Sequence, residues 1–403
     1  MATWYYSSEA TGANDGTSEA DAWTDFATAV GGLTAGDTLY LKTASDGSRV
    51  NLGNFTQVRI VGTIDDNTTI EGYKDTPGDG GPFLAYHGYL TKSDGNSLIM
   101  KYLDISNGGG GYAYQTIQDF SGTIFYRCKF ESVSSSTYTA RLNNGTIAIE
   151  CTFIGNQSGD NYAVIAYRTG LYNCHILQKS TGRGLVNELS YQNASIIGNI
   201  IECTDPSNTS AGIYCSNLQL ANNVQILGNN TIRGFGTGIY IPNGIDERYL
   251  TNLVMYGNII YDCAEGIVNA QSTNTNTNNI FPISNAFGNI SGSNFTNISE
   301  NGLIEEIQLT ASPFEDTTDF VINDTAGGGA LLKGLLGPPD VKGLTATNRV
   351  SYPTYGAVVP SPFFEYLDSG SFDGSTGGVG DTLTVSGRSY QLIQDNPRVW
   401  RRV

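Results

Sequence analysis

Histidine is almost missing from this chain, with two in 403 residues. A mechanism built on imidazole as base, metal ligand or proton relay has little to draw on. Charged residues are also scarce, at 15%. That is far from the Ala/Glu/Lys/Leu usage of helical proteins. Basic residues are fewest: 21 Lys and Arg stand against 38 Asp and Glu, for a net charge of −17. Phosphate recognition needs clustered cations, so nucleic acid is excluded as a partner. The one basic cluster, Arg398, Arg401 and Arg402, reads as a local contact or a solvated tail. No long apolar run exists, so no membrane-spanning helix is expected. The opening Met1-Ala2-Thr3-Trp4-Tyr5-Tyr6 has no basic region followed by an apolar one. A signal peptide is therefore not expected, and the chain reads as made in the cytoplasm. None of the six cysteines forms a CxxC pair, which argues against zinc and redox motifs.

What is present is glycine, 50 residues of it, with abundant Asn and Thr and 39% apolar residues. This mixture suits many short strands joined by tight turns around a continuous core. A phrase returns along the chain: Cys128-Lys129-Phe130, Cys151-Thr152-Phe153, Cys174-His175-Ile176, Asn199-Ile200-Ile201, Asn230-Thr231-Ile232, Asn258-Ile259-Ile260 and Asn289-Ile290-Ser291. The successive gaps are 23, 23, 25, 31, 28 and 31 residues. Periods in this range mark a solenoid. Strands of three to five residues have no core of their own, but stacked into coils each pairs in parallel with its equivalent one rung away, at about 4.8 Å. The predicted fold is all-β, a parallel β-helix with stacked inward residues.

The repeated column, Cys128, Cys151, Cys174, Asn199, Asn230, Asn258 and Asn289, is expected to form a structural ladder at one corner. Its cysteines are then small buried thiols, and its asparagines tolerate left-handed backbone and bond the turns above and below. Asn cannot replace Cys as nucleophile or thiolate ligand, so the column carries no metal and no chemistry. Leu103 lies 25 residues before Cys128 and extends the register upstream.

The chain divides into four parts. Residues 1–45 form an N-terminal cap, with a helix opening at Ser18–Asp21 and Trp23, Phe26, Ala27 and Val30 on its apolar face. Residues 46–310 are the β-helix, and 311–354 are an irregular cover over the far end. Residues 355–403 are a small β appendage suited to docking or oligomerisation. The polar tract 272–279 reads as a loop leaving the coil.

The rung spacing, the Asn column and the capping helix resemble the right-handed parallel β-helix, or pectate-lyase-like, superfamily. Two phrases also resemble β-helix structural proteins of tailed bacteriophages. One is Thr69-Ile70-Glu71-Gly72-Tyr73 with Pro77-Gly78-Asp79-Gly80-Gly81. The other runs from Asp319 to Leu332, with Tyr355-Gly356-Ala357-Val358 beyond it. The resemblance implies a virion-surface protein: a head decoration, fibre or spike. It would be homo-oligomeric, as a trimer, with other virion proteins as partners and cell-surface polysaccharide as a ligand.

The alternative is a tailspike-like depolymerase, a polysaccharide hydrolase or lyase. The Gly-His-Gly, Asn-Thr-Asp and Arg-Ile-Lys phrases of polygalacturonase-like enzymes are missing, as are the Asp-His and Arg-x-Pro-x-x-Arg phrases of pectate lyases. Carboxylates near the column, Asp104, Glu131, Glu150, Glu202 and Asp262, suggest either a catalytic or calcium-binding groove or a solvated face. Glu150, Glu202 and Asp262 are the catalytic candidates. No dedicated calcium loop is present, and no cofactor is expected. His175 follows the inward Cys174 and so points outward. Among 24 tyrosines, Tyr240, Tyr256 and Tyr261 are the candidates for sugar stacking, against the alternative of packing.

Overall fold

A computed structural model describes residues 1–53, 56–58, 60–61, 67–86, 90–92, 98–107, 117–120, 122–133, 138–143, 145–167, 169–188, 194–216, 224–242, 252–270, 280–298, 306–315, 320, 322–333, 382–385, 388–395 and 398–402. Three long parallel sheets wrap one core, as a right-handed parallel β-helix requires. The first has eleven strands, from Thr3–Tyr6 to Ile280–Ile283; the second has eleven, from Val50–Asn51 to Ile307–Leu309; the third has ten, from Thr56–Val58 to Phe295–Thr296. Every pairing in these sheets joins one rung to the next: Thr152 lies opposite both Lys129 and His175, and Ile200 opposite both His175 and Thr231.

The core follows from this register. On the first sheet Leu39, Ile70, Met100, Phe125, Ala148, Leu171, Ile196, Leu227 and Met255 form one inward column. On the second sheet Ile105, Phe130, Phe153, Ile176, Ile201, Ile232, Ile260 and Phe287 form another. Almost all are closed to solvent, each burial contributing about 1.5–3 kcal/mol. Phe130 and Phe153 stack at 5.7 Å.

The coil begins inside the 1–45 segment, because Thr3–Tyr6 already pairs with Thr38–Lys42. The other edge of Thr3–Tyr6 is blunted by its own chain: Tyr5 N donates to Gly16 O, Ser7 N to Trp23 O, and Trp23 N to Tyr5 O, each at 2.9 Å. That removes an edge which would otherwise template pairing with another chain. The helix α1 (Phe26–Gly31) starts later than the sequence suggests. Its N-cap is Asp25, which accepts from Thr28 N at 2.8 Å. Ser18 and Asp21 instead close a turn of their own. The apolar face is Phe26, Ala29 and Val30, while Ala27 is exposed. Asp37 ties this end together: it accepts from Ala2 N (2.7 Å), Trp4 Nε1 (3.0 Å), and Thr34 N and Oγ1 (3.0 and 2.7 Å).

The described residues of the segment after 305, namely 306–315, 320 and 322–333, end in the helix α2 (Gly329–Lys333). They cover the outer flank of the second sheet: Phe314, Phe320, Ile322 and Leu332 pack with Ile259 and Ala286 in a second core. The sequence reading gives 311–354 as an irregular cover over the far end, of which only the part up to 333 is described. The physical reason for the flank position is the outward Ile259 and Ala286, which need cover. The segment 334–354 and the loop 272–279 lie outside the described residues. The appendage contains an antiparallel meander of Thr382–Val385, Arg388–Asp395 and Arg398–Arg402. Among the described residues no helix is long and apolar enough to cross a membrane.

Candidate functional site

The repeated column comes first, since it fixes where every outward side chain stands. Asn199, Asn230, Asn258 and Asn285 form a buried ladder. Each Oδ1 of the next rung accepts from both the backbone N and Nδ2 of the one before: Asn199 to Asn230 at 3.0 and 2.9 Å, Asn230 to Asn258 at 3.0 and 3.0 Å, Asn258 to Asn285 at 3.1 and 2.9 Å. Each Nδ2 also donates to a carbonyl of the first sheet: Leu171, Ile196, Leu227 and Met255 in turn.

The cysteine rungs use the same carbonyl column, with Cys128 Sγ on Met100 O and Cys174 Sγ on Ala148 O, both at 3.4 Å. A weak S–H donor thus stands where the amide donor stands later. All three column thiols are buried and free, and burial pushes those of Cys128 and Cys174 well up. A neutral thiol suits a packing role and not a nucleophile.

Asn289 is not in the ladder. The residue opposite Ile259 is Ala286, so its predecessor Asn285 takes the place. Asn289 lies past the end of that strand with φ 50°, exposed, donating from Nδ2 to Asp262 Oδ1 at 2.6 Å. The Gly-Asn phrase misleads because Ser284 holds the left-handed position (φ 50°) that Gly198 and Gly257 hold in other rungs.

On the outer face of the second sheet the carboxylate row exists, but none of it stands alone. Asp104 receives Arg49 Nη2 at 2.7 Å and Lys129 Nζ at 3.5 Å. Glu131 receives Lys179 at 2.9 Å and Lys129 at 3.6 Å. Burial works to raise the Glu131 carboxyl, but Lys179, Lys129 and Arg49 together hold it below its ordinary value. Glu202 meets His175 Nε2 at 2.8 Å. Asp262 accepts Arg233 Nε at 2.9 Å. Glu150 stands apart, at a left-handed corner (φ 52°) where it takes Arg127 Nε at 2.7 Å.

Glu202 and Asp262 share a groove of about 880 Å³ with His175, Arg233, Cys203 and Asn208. Arg233 is the register neighbour of Glu202 and bonds Asp262, so it stands between the two acids. A glycosidase needs that space for the scissile bond. The His175–Glu202 dyad is the one arrangement here that could move a proton. Cys203 is half-buried, held by Asn208 Nδ2 at 3.1 Å, and burial raises its thiol. Among the described residues no cluster of three or more His, Cys, Asp or Glu is placed to hold a metal ion.

The three tyrosines offer poor platforms. Tyr240 is stacked on Tyr214 at 5.6 Å, and the other face of Tyr214 is taken by Arg183 at 3.8 Å. Tyr256 is buried, its ring across Gly228, where a Cβ would collide. Tyr261 lies across Gly288 with its neighbour Phe314 at 6.0 Å. In a solenoid the neighbouring rungs compete for ring faces, and Tyr214 takes one face of Tyr240. Sequence reasoning did not single out Arg233, Arg127 or Tyr102. The signal was available: oppositely charged residues one rung apart, and side chains directly before the column.

No protein-family model matches the chain, and no curated protein does. Solved structures similar to it include pectate lyase Pel9A, with a TM-score of 0.50 and 13% identity over 83% of this chain and 85% of that one. Another is the pectin methylesterase from Aspergillus niger, with a TM-score of 0.39 and 13% identity over 74% and 90%. At such identity the Pel9A likeness carries the fold alone: this chain is a parallel β-helix of the pectate-lyase-like architecture.

Proposed function

We propose that the chain is a structural β-helix of a virion surface, a stiff rod whose outer faces adhere to cell-surface polysaccharide, and not a depolymerase. One observation carries the non-catalytic half: Asp104, Glu131 and Asp262 each hold a Lys or Arg partner, as an outer face does when its charges serve to pin rungs together. The blunted N-terminal edge and the continuous core fit a rod that does not unzip. The virion setting rests on the phage-like phrases around Thr69–Tyr73 and Asp319–Leu332. A trimer with other virion proteins as neighbours, assembled in the host cytoplasm, follows from that setting.

The second reading, polysaccharide hydrolysis or β-elimination, is favoured by the His175–Glu202 dyad in its groove. Incubation with oligogalacturonate, alginate and neutral polysaccharides, with products followed by mass spectrometry, separates the two. No cleavage is expected. Turnover that disappears in Glu202→Gln would overturn the structural reading. Labelled-antibody electron microscopy of particles tests the setting, and absence from every particle would sink it.

A further inference from the structure

The residue just before the column is left-handed in eight successive rungs: Tyr102, Arg127, Glu150, Asn173, Gly198, Asn229, Gly257 and Ser284, with φ from 50° to 72°. Gly and Asn accept this conformation at little cost, whereas a bulky side chain there is an outlier that the backbone disfavours. Four of the five later rungs use Asn or Gly, which fit most easily, and the last uses the small Ser284. The first three use Tyr, Arg and Glu, so those side chains are kept against the preference of their own backbone. Such outliers concentrate where a side chain has a task.

A cleft of about 600 Å³ lies beside them, lined by Gly78, Asp79, Gly80, Pro82, Tyr102 and Arg127. This is the volume of a ligand pocket. Its far wall is the Lys74–Gly81 loop, which is folded around one carboxylate. Asp79 accepts from the backbone N of Lys74, Asp75, Thr76 and Gly81, the last at 2.7 Å. Burial works to raise its carboxyl, but those bonds hold it below the ordinary value. Thr43 Oγ1 fastens the loop end at Pro82 O, 2.6 Å away. The wall is therefore set before any ligand arrives. Tyr102 adjoins this wall, its ring within contact distance of a Cβ placed on Gly80; it is half-buried and edge-on to Tyr126 at 5.8 Å. Arg127 lies over Tyr126 at 4.9 Å and is oriented by Glu150.

We propose that this cleft is a binding site for a neutral saccharide, with Tyr102 as the apolar contact and Arg127, oriented by Glu150, reading hydroxyl groups. The lining carries one cation, Arg127, and one anion, Asp79, so it has no net charge, and the guanidinium offers donors to hydroxyl oxygens. A tyrosine ring supplies the flat apolar contact. A chain of net charge −17 opposes polyanionic glycans. This rests on the adhesive half of the reading above and does not need the virion setting.

The test titrates the full chain with gluco-, galacto- and N-acetylglucosamine oligosaccharides and with oligogalacturonate, by calorimetry and ligand-observed NMR. Saturable binding is expected for a neutral series and not for oligogalacturonate. Tyr102→Asn and Arg127→Asn should weaken it at least tenfold while melting at or above the wild-type temperature, because Asn suits the left-handed corner. Glu150→Gln, nearly isosteric, should weaken it with the melt unchanged. Binding that survives all three variants would place adhesion elsewhere and overturn this site alone. No binding to any neutral saccharide overturns both the site and the adhesive reading. Preference for oligogalacturonate overturns the neutral class, and a lower melting temperature in both Asn variants would make the corner a packing device.

Discussion

The rungs from Tyr102 to Asn173 and those from Gly198 to Ser284 follow one backbone path with different side chains. In the later rungs the column is an amide ladder, the left-handed corner is Gly, Asn or Ser, and the outer face at Ile259 and Ala286 is apolar and covered. In the earlier rungs the column is Leu103 and then cysteine, the corner is Tyr, Arg, Glu and then Asn, and the outer face is an ion-pair array from Arg49 to Lys179. The later half devotes its residues to register and cover. The earlier half relies on weak thiol donors and exposes chemistry. The proposed saccharide cleft lies in the earlier half.

The largest effect should come from breaking the ladder. Asn230→Ala leaves Asn199 N and Ile196 O without this partner, and Asn199 Nδ2 with Leu171 O alone. At about 1–3 kcal/mol for each stranded buried group, the loss in denaturant unfolding should be roughly 3–5 kcal/mol. Cys151→Ala removes only weak thiol bonds, to Ile149 O and to the neighbouring Cys128 and Cys174, and a single heavy atom, for about 1 kcal/mol. Equal losses would mean that the two columns do the same work.

Next comes the N-terminal tie. Burial opposes the Asp37 charge, but its four hydrogen bonds win and hold the carboxyl at about 2. A depressed folded value stabilises the protein above the unfolded value near 4 and is lost as pH falls from there toward 2. Asp37→Asn should cost on the order of 2 kcal/mol at neutral pH and flatten the acid limb of stability in that window. An unchanged acid limb would show that the tie lies elsewhere.

Much of this was readable in advance. Cys128 to Asn258 align in the register that the phrase implies, and Asp104 opposite Lys129 puts Leu103 where its spacing predicted. The last rung was misread because Ser284 took the place of a glycine while Gly288-Asn289 imitated the phrase. The ring faces of Tyr240, Tyr256 and Tyr261 were illegible for a different reason. Whether a ring is open depends on a residue one rung away, or on Gly228 and Gly288 beneath it, and neither is a local property. The partners of Glu202 and Asp262, at His175 and Arg233, lie 27 and 29 residues distant, and only a rung-length comparison finds them.

A smaller and opposite effect is expected at Asn187. It faces inward between Ala166 and Cys215, fully buried, and neither amide atom meets a protein partner. Asn187→Leu should raise stability by about 1 kcal/mol, since a buried amide without partners costs more than an apolar group of similar size. A lowered melting temperature would mean that the amide is used.

The smallest change tests the comparison most directly. Glu150→Asn gives up an ion pair with Arg127 whose side chains are 48% exposed for the arginine and 27% for the glutamate, a contact of roughly 0.5 kcal/mol at such exposure. It also places Asn in a left-handed position, recovering up to about 1 kcal/mol of backbone cost. The two nearly cancel, so unfolding should shift by no more than about 0.5 kcal/mol in either direction. The same exchange made at a structural corner would be felt. If Glu150→Asn destabilised the chain by several times that amount, the Tyr102–Arg127–Glu150 corner would be holding the rungs together as the asparagines do, and the contrast between the two halves would collapse. If stability holds while saccharide binding falls, the corner is maintained for its ligand.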